Sequence, residues 1–487
     1  MAVGVTVTRT AAAGSLFPIP VPSASYFVVG LAARGSATDV ARVTSLAQFE
    51  ATFGTRPSYG NLYDDVAMFF AEGGGEAYVA RVVGPAATQG SLGTPLVDRA
   101  GTPLSTLQVT AKGPGSWSSD VTVQILAGTV PNTFILSILY LGIEVERYAN
   151  LSSPQDAVTK TAGSSWVAVT DLASATVAPN NNPAVVGPVA LGAGTDDRSS
   201  VNAASLVTAL ARFGPQYGDG AVAIPGGGDA THAGLISHAK QNNRLAILVS
   251  ARGSTATQLA TLAASYDSEY AGLFGPWVQT RDAFGGLSSI PCDGYIAAVR
   301  ARAHRDVGPW QAPAGDRARS VVVVAPDQIF DSATSNALED AKVSPILPVS
   351  GGVRLYGWRS LSSDIANWRL LTGIDVINRI VVASQQALDP MVFSTIDARG
   401  HLLARVEGAL TGLVLPMADA GGLYPWIDAD PLGGTPIERD PGFSITTDPS
   451  REVASANMVQ ATCAVRVSPT GALIALTVTK VGVTRRF

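Results

Sequence analysis

FFAEGGGEAYVARV, residues 69–82, joins the end of a helix to the start of a strand through three consecutive glycines. Phe69 and Phe70 complete an apolar helical face begun by Leu62 and Val66, and Asn61 stands where a helix cap is expected. Gly73, Gly74 and Gly75 stop the helix, since glycine takes the left-handed turn that a helix end needs at no steric cost. Residues 77–83, AYVARVV, then carry the Val and Tyr content of a strand. Upstream, Tyr26-Phe27-Val28-Val29-Gly30 has the same buried-strand character. Between the two strands, Ser45 and Gln48 form a capping-box pattern, and Leu46, Phe49 and Phe53 share one helical face that Gly54 ends. Strand, helix, helix, strand predicts the opening of an α/β layer.

The texture changes after Gly84-Pro85. From there to about residue 195, short alternating stretches around 107–110, 121–127, 133–140 and 166–169 are separated by clusters such as Lys112-Gly113-Pro114-Gly115 and Pro179-Asn180-Asn181-Asn182-Pro183. This is a β-rich module inserted into the α/β domain. The α/β rhythm then resumes. Helices are predicted over 201–213, 230–242, 255–266 and 294–305, with strands at 221–225, 245–251, 271–278 and at the four valines 321–324. Beyond residue 345 come an extended Gly-rich segment to Asp364, helices over 367–386 and 395–413, and strands near 458–467 and 473–483. Ser394 and Asp397 supply a second capping-box pattern, and Ile396, Leu403, Val406, Leu410 and Leu413 an apolar face.

The two ends of the chain share a character. Val3, Val5 and Val7 alternate with Gly4, Thr6 and Thr8, and Ala11-Ala12-Ala13-Gly14-Ser15 follows as a tether, then the proline-stiffened Phe17-Pro18-Ile19-Pro20-Val21-Pro22. At the other end ALIALTVTKVGVTR, residues 472–485, is a long strand whose Ile474, Leu476 and Val478 share one face. Strand arms carry unpaired N–H and C=O groups that need partners, either within their own domain or in the sheets of neighbouring subunits. The fold class is therefore α/β (α+β overall). Residues 1–22 form an N-terminal arm and linker, 23–84 and 196–344 the two parts of an α/β core, and 85–195 a surface-exposed β-rich insertion. Residues 345–487 form a C-terminal α/β domain ending in a strand arm.

With 487 residues the chain has ample core, and 46% hydrophobic against 15% charged content leaves little charge to keep surfaces apart, which fits burial against other subunits. A net charge of −5 gives no basis for nucleic-acid binding. Cys292 and Cys463 show neither a disulfide framework nor zinc-ligand spacing. No signal peptide or membrane-length apolar run is present, which predicts synthesis in the cytoplasm. Chemistry is sparse. Gly226-Gly227-Gly228 follows a strand and precedes a helix, as a phosphate cradle does, but Thr231 stands where a GxGxxG motif needs its last glycine. His232, His238, His304 and His401 lack metal-ligand spacing. Asp428-Ala429-Asp430 opens like a calcium loop, yet Leu432 and Arg439 occupy ligand positions. No catalytic residues, metal site or cofactor are predicted. A nucleotide- or sugar-nucleotide-binding α/β enzyme using the Gly226–Gly228 turn, and an adhesin-like β protein whose insertion carries receptor binding, remain as alternatives.

Four stretches resemble the contractile tail sheath proteins of myophage tails, R-type pyocins and related contractile injection systems. Residues 43–54 are similar to that family's early strand-to-helix segment, and residues 69–82 to its "FFANGG…AYVVRV" motif. Residues 308–314, GPWQAPA, are similar to "GVWKAPAN", and residues 352–364, GVRLYGWRSLSSD, to "GVRVWGARTLSSD". The chain departs from the family's "NVRRL" at Asn367-Trp368-Arg369-Leu370-Leu371 and from its "FEPN" at Phe393-Ser394-Thr395-Ile396. The resemblance implies a structural protein rather than an enzyme. Its subunits would stack as rings, hexameric in the family, around an inner tail tube, with baseplate and tail terminator proteins as further partners and no membrane insertion. The location implied is a virion tail or an injection particle. The resemblance also implies strand exchange through Val3, Val5, Val7, Ile474, Leu476 and Val478, and tube contacts on the C-terminal domain, for which Arg399 and Arg405 are the candidates.

Overall fold

The computed structural model describes residues 23–281, 285–428 and 437–471. They divide into two compact units, one of residues 23–305 and 313–374, the other of residues 306–312 and 375–471.

The larger unit is built on an eight-stranded sheet. In chain order its strands are β1 (Tyr26–Gly30), β2 (Val40–Val43), β3 (Ala77–Arg81), β4 (Ala221–Ala223), β5 (Leu245–Val249), β6 (Ala271–Gly275), β7 (Val343–Val349) and β8 (Gly352–Leu355). Their spatial order is β8-β7-β6-β5-β4-β1-β3-β2. The six central strands run parallel, and the edge strands β2 and β8 run antiparallel to their neighbours. Helices cover the parallel strands, which is why β1, β5 and β6 are buried at every residue and read as unbroken apolar runs. On one face Phe27, Val29, Val222, Ile224, Ala246 and Leu248 pack with Leu235, Leu259 and Ala263 of the His232–Gln241 and Ala256–Ala264 helices. The Leu62–Ala71 helix brings Phe69 against Tyr26, with ring centroids 5.0 Å apart. Gly74 is required there, because a Cβ at that position would meet the Phe69 ring.

Several local readings are corrected. Residues 271–278 are not one strand: Pro276 has no N–H to give, the ladder of β6 ends at Gly275, and Val278–Arg281 joins a separate three-stranded sheet. Val321–Val324 do not form a strand. The backbone N–H groups of Val321 and Val322 donate instead to the buried carboxylate of Glu72, and Ser320 Oγ donates to it as well. Asn61 makes no capping hydrogen bond. Ser45 does cap its helix, accepting from Gln48 N, while Gln48 Oε1 accepts from Thr44 N at 2.8 Å.

Residues 96–190 carry two smaller sheets, one of four strands and one of three, and the helix Pro154–Thr161. They share a core of their own, in which Leu107, Val123, Ile125, Leu136, Trp117 and Trp166 are buried.

In the smaller unit residues 375–388 are helical, and the His401–Asp419 helix packs beside the ribbon of Phe443–Thr447 and Ala461–Val465. The second helix starts six residues later than the predicted 395 and continues through Pro416. Asp397 receives the N–H of Arg399 and of His401, so the turn ahead of the helix takes the acceptor that the capping-box reading placed inside it. Burial of Val414 and packing of Met417 hold the last turn in helical form past the proline. Trp310 packs on Gly422, where a Cβ would meet the indole ring.

Candidate assembly surfaces

Val3, Val5, Val7, Ile474, Leu476 and Val478 lie outside the described residues, as do the predicted strand at 473–483 and Asp430. Both ends of the described chain make specific contacts. At the N-terminal junction Ser23 is buried, and its carbonyl accepts a hydrogen bond from Arg300 Nη1 at 2.7 Å. Ser23 Oγ lies 2.9 Å from His304 Nδ1. Three residues on, the Tyr26 hydroxyl donates to Asp65 Oδ2 at 2.7 Å, and Asp65 Oδ1 accepts the N–H of Gly294. Arg300, His304 and Gly294 all belong to the Asp293–Asp306 helix, which is buried along most of its length. Burial and the mutual repulsion of Asp65 and Asp293 hold the Asp65 carboxyl well above the usual carboxylate range, and burial pushes Asp293 up to about 7.

At the C-terminal junction the strand Ala461–Val465 pairs with Phe443–Thr447. Both strands alternate between half-buried and exposed residues, so one face lies on the helices and the other faces outward. Among the described residues Ala461–Val465 pairs along one edge only. Glu407 fastens the ribbon to the His401–Asp419 helix by accepting from Thr447 N and Oγ1. Arg399 is exposed in the turn ahead of that helix and Arg405 is exposed on it, and neither guanidinium makes a salt bridge among the described residues. Between the 391–396 turn, the helix and residues 454–461 lies an apolar groove of about 1070 Å³. At its rim Phe393 is fully exposed with a left-handed backbone, φ 64°.

The inserted module is fixed to the core by two arginines. Arg81, at the end of β3, is fully buried and donates to the carbonyls of Ala32, Gly35 and Pro114 and, at 2.7 Å, to Asp196 Oδ1. Pro114 lies within the module and Asp196 at its return to the core, so one side chain closes the module's base. Burial lowers the Arg81 pKa, opposed by the Asp196 charge. Arg34 donates to the carbonyls of Glu50 and Ala51 and lies 3.8 Å over the Trp166 ring of the module.

The Gly226 turn sits where the order of the parallel strands reverses, between the carboxyl ends of β1 and β4, which in open α/β sheets is the usual ligand crevice. Side chains crowd one part of it, while a Cβ at Gly228 would meet open space. The Asn61 amide lies against Gly226, and the Leu62 side chain occupies the space over Gly30. His232, His238 and His304 are buried, and His401 is exposed beside Asp397. Burial and the adjacent Arg244 cation push His238 down to about 4. Among the described residues no group of His, Cys, Asp and Glu could hold a metal ion, and no helix is long and apolar enough to cross a membrane.

Sequence reading missed Ser23 and Arg300, and weighed His304 only as a metal ligand. The available signal was the spacing Ile296, Arg300, His304, which sets an arginine on a stripe shared with an apolar residue.

No protein-family model matches the sequence, and no curated protein matches it. Solved structures do. The sheath tail protein of Listeria innocua aligns with a TM-score of 0.61, at 11% identity over 92% of this chain and 96% of its own. The anti-feeding prophage helical sheath in its contracted state aligns at 0.57, with 14% identity over 98% of this chain and 99% of its own. This is the fold of the contractile sheath proteins. The sheath complex of an extracellular contractile injection system, PVC, in its contracted state agrees, at a TM-score of 0.54 and 13% identity over 99% of this chain and all of the other (100%). Two sheath-like motifs have clear roles in that fold: Arg81 closes the base of the insertion, and Trp358 is buried beside Phe274.

Proposed function

We propose that this chain is the structural subunit of a contractile tail sheath. The observation that carries the reading is the correspondence with a contracted helical sheath along 98% of the chain, both units included. In this reading subunits stack as hexameric rings around an inner tube, with baseplate and terminator proteins at the two ends. Contraction of the stack drives the tube through a target envelope, in a virion tail or an injection particle.

Strands from residues 1–22 and 472–487 complete sheets in neighbouring subunits, through Val3, Val5 and Val7 and through Ile474, Leu476 and Val478. The half-paired Ala461–Val465 ribbon supports this, because it offers main-chain donors and acceptors to an added strand. Main-chain pairing survives rearrangement while contacts between rigid bodies are exchanged, which suits a device whose energy is stored at assembly. Residues 85–195 form the outward module, and Arg399 and Arg405 face the tube. The Asn61 amide against Gly226 weighs against a nucleotide-binding reading.

Negative-stain electron microscopy of the purified full chain tests the proposal. Long hollow cylinders are expected, and a monodisperse subunit at every concentration and salt condition would overturn it.

A further inference from the structure

We propose that Arg300 and His304 are the anchor of the N-terminal arm, fixing where the chain enters the body and carrying load from the arm into the Asp293–Asp306 helix. The inference rests on the arm-exchange reading above and adds the residues on which such an arm would pull.

An arm that ties one subunit to the next transmits force to its own root. If the root were held by β1 alone, tension would peel the strand from its neighbours one residue at a time, beginning at Tyr26. The structure supplies a stop before that point. Arg300 and His304 are four residues apart, hence on one face of the helix, and both reach Ser23. Arg300 holds the main chain through a buried, charge-assisted hydrogen bond to the Ser23 carbonyl. His304 meets the Ser23 side chain.

The helix is itself held at other points. Gly294 N donates to Asp65 at one end. Arg302 Nη2 donates to the Arg319 carbonyl and Arg305 Nη1 to the Gly73 carbonyl near the other. The Tyr26–Asp65 hydrogen bond ties β1 to the same assembly. Pull on residue 22 would therefore be spread over the helix and its neighbours rather than applied to the first rung of β1. The helix ends at Asp306, where the chain passes into the smaller unit, so the arm's anchor and the covalent link to that unit share one element.

The test uses the full chain with Ser23→Ala, Arg300→Lys and Arg300→Met, and reads three quantities. Hydrogen exchange of the amides at 24–26 is expected to rise about tenfold in Arg300→Met and less in Arg300→Lys, which keeps one donor. Exchange at 27–30 should stay unchanged. The cylinders of Arg300→Met should be several-fold shorter than those of the parent chain, and those of Ser23→Ala, which deletes only the hydroxyl that meets His304, should shorten less, with little change in thermal midpoint. Exchange rising equally across the whole sheet would overturn the proposal by making Arg300 a general core residue. Cylinders of parental length from a variant with a released 24–26 segment would overturn the load-bearing role. If the parent chain forms no cylinders, the sheath reading fails, while the exchange data still decide whether the anchor exists.

Discussion

β1 and the Ala461–Val465 strand are each five residues long, and they are built for opposite purposes. Every residue of β1 is buried, and it pairs in parallel on both sides, with β3 and with β4. Ala461–Val465 alternates half-buried with exposed residues and pairs on one side only among the described residues. The first is interior whatever the chain's surroundings. The second becomes interior only when something is added to it. The same contrast runs through the polar groups: Arg81 is buried with every contact made inside the chain, whereas Arg399 and Arg405 are exposed. A fully paired interior strand, and a strand with one open edge among the described residues, are what the proposed strand-linked assembly calls for.

The comparison breaks most severely at Arg81. Arg81→Met leaves the Asp196 carboxylate buried without its main partner, and loss of one member of a buried pair costs about 3–5 kcal/mol. Denaturant unfolding should show that loss, with amide protection falling in residues 85–195. A smaller and differently placed effect is expected from Gly422→Ala, whose Cβ would meet the Trp310 ring. Overpacking of this kind costs about 1–3 kcal/mol. Hydrogen exchange should rise in residues 375–471 and leave β1 untouched.

The buried Asp65 and Asp293 carboxyls give the body a pH dependence of known sign. Both are raised, so the folded chain holds more protons than the unfolded one between the ordinary carboxylate range and about pH 7. Their contribution to stability is fully present below about pH 4, the unfolded carboxylate pKa, and is lost as pH rises through that window. Asp293→Asn should flatten the decline in unfolding free energy between about pH 5 and about pH 8, as about one proton fewer is released. A slope identical to that of the parent chain would show that the pair does not titrate there.

The smallest effect on folding is expected at the groove. Phe393→Ser removes a fully exposed ring, so the isolated subunit should change by no more than about 0.5 kcal/mol. A larger loss would place Phe393 in the interior of its unit.

Much of the body was legible in the sequence because its signals are local. The apolar run at Tyr26–Gly30, the glycine stop after Phe70 and the Ser45 cap each act within a few residues. What was not legible depends on partners far along the chain. The four valines at 321–324 have every strand preference, but their N–H groups are claimed by Glu72, about 250 positions away. The strand Ile143–Leu151 was hidden because its residues are mostly exposed or half-buried at an edge and carry Glu144, Glu146 and Arg147. The helix through Pro416 was hidden because packing of the smaller unit overrides the proline. Of the candidate assembly residues, Arg399 and Arg405 were found on the surface, whereas the Ser23 anchor joins positions 281 residues apart and only the fold brings them together.

On the proposed reading, the subunit folds without its N-terminal arm but does not assemble. Deleting residues 1–15 and comparing the purified product with the full chain, by unfolding and by electron microscopy of the same sample, tests it directly. An unchanged unfolding transition and no cylinders are expected. Cylinders of normal length from the truncated chain, or a subunit that no longer folds, would contradict it.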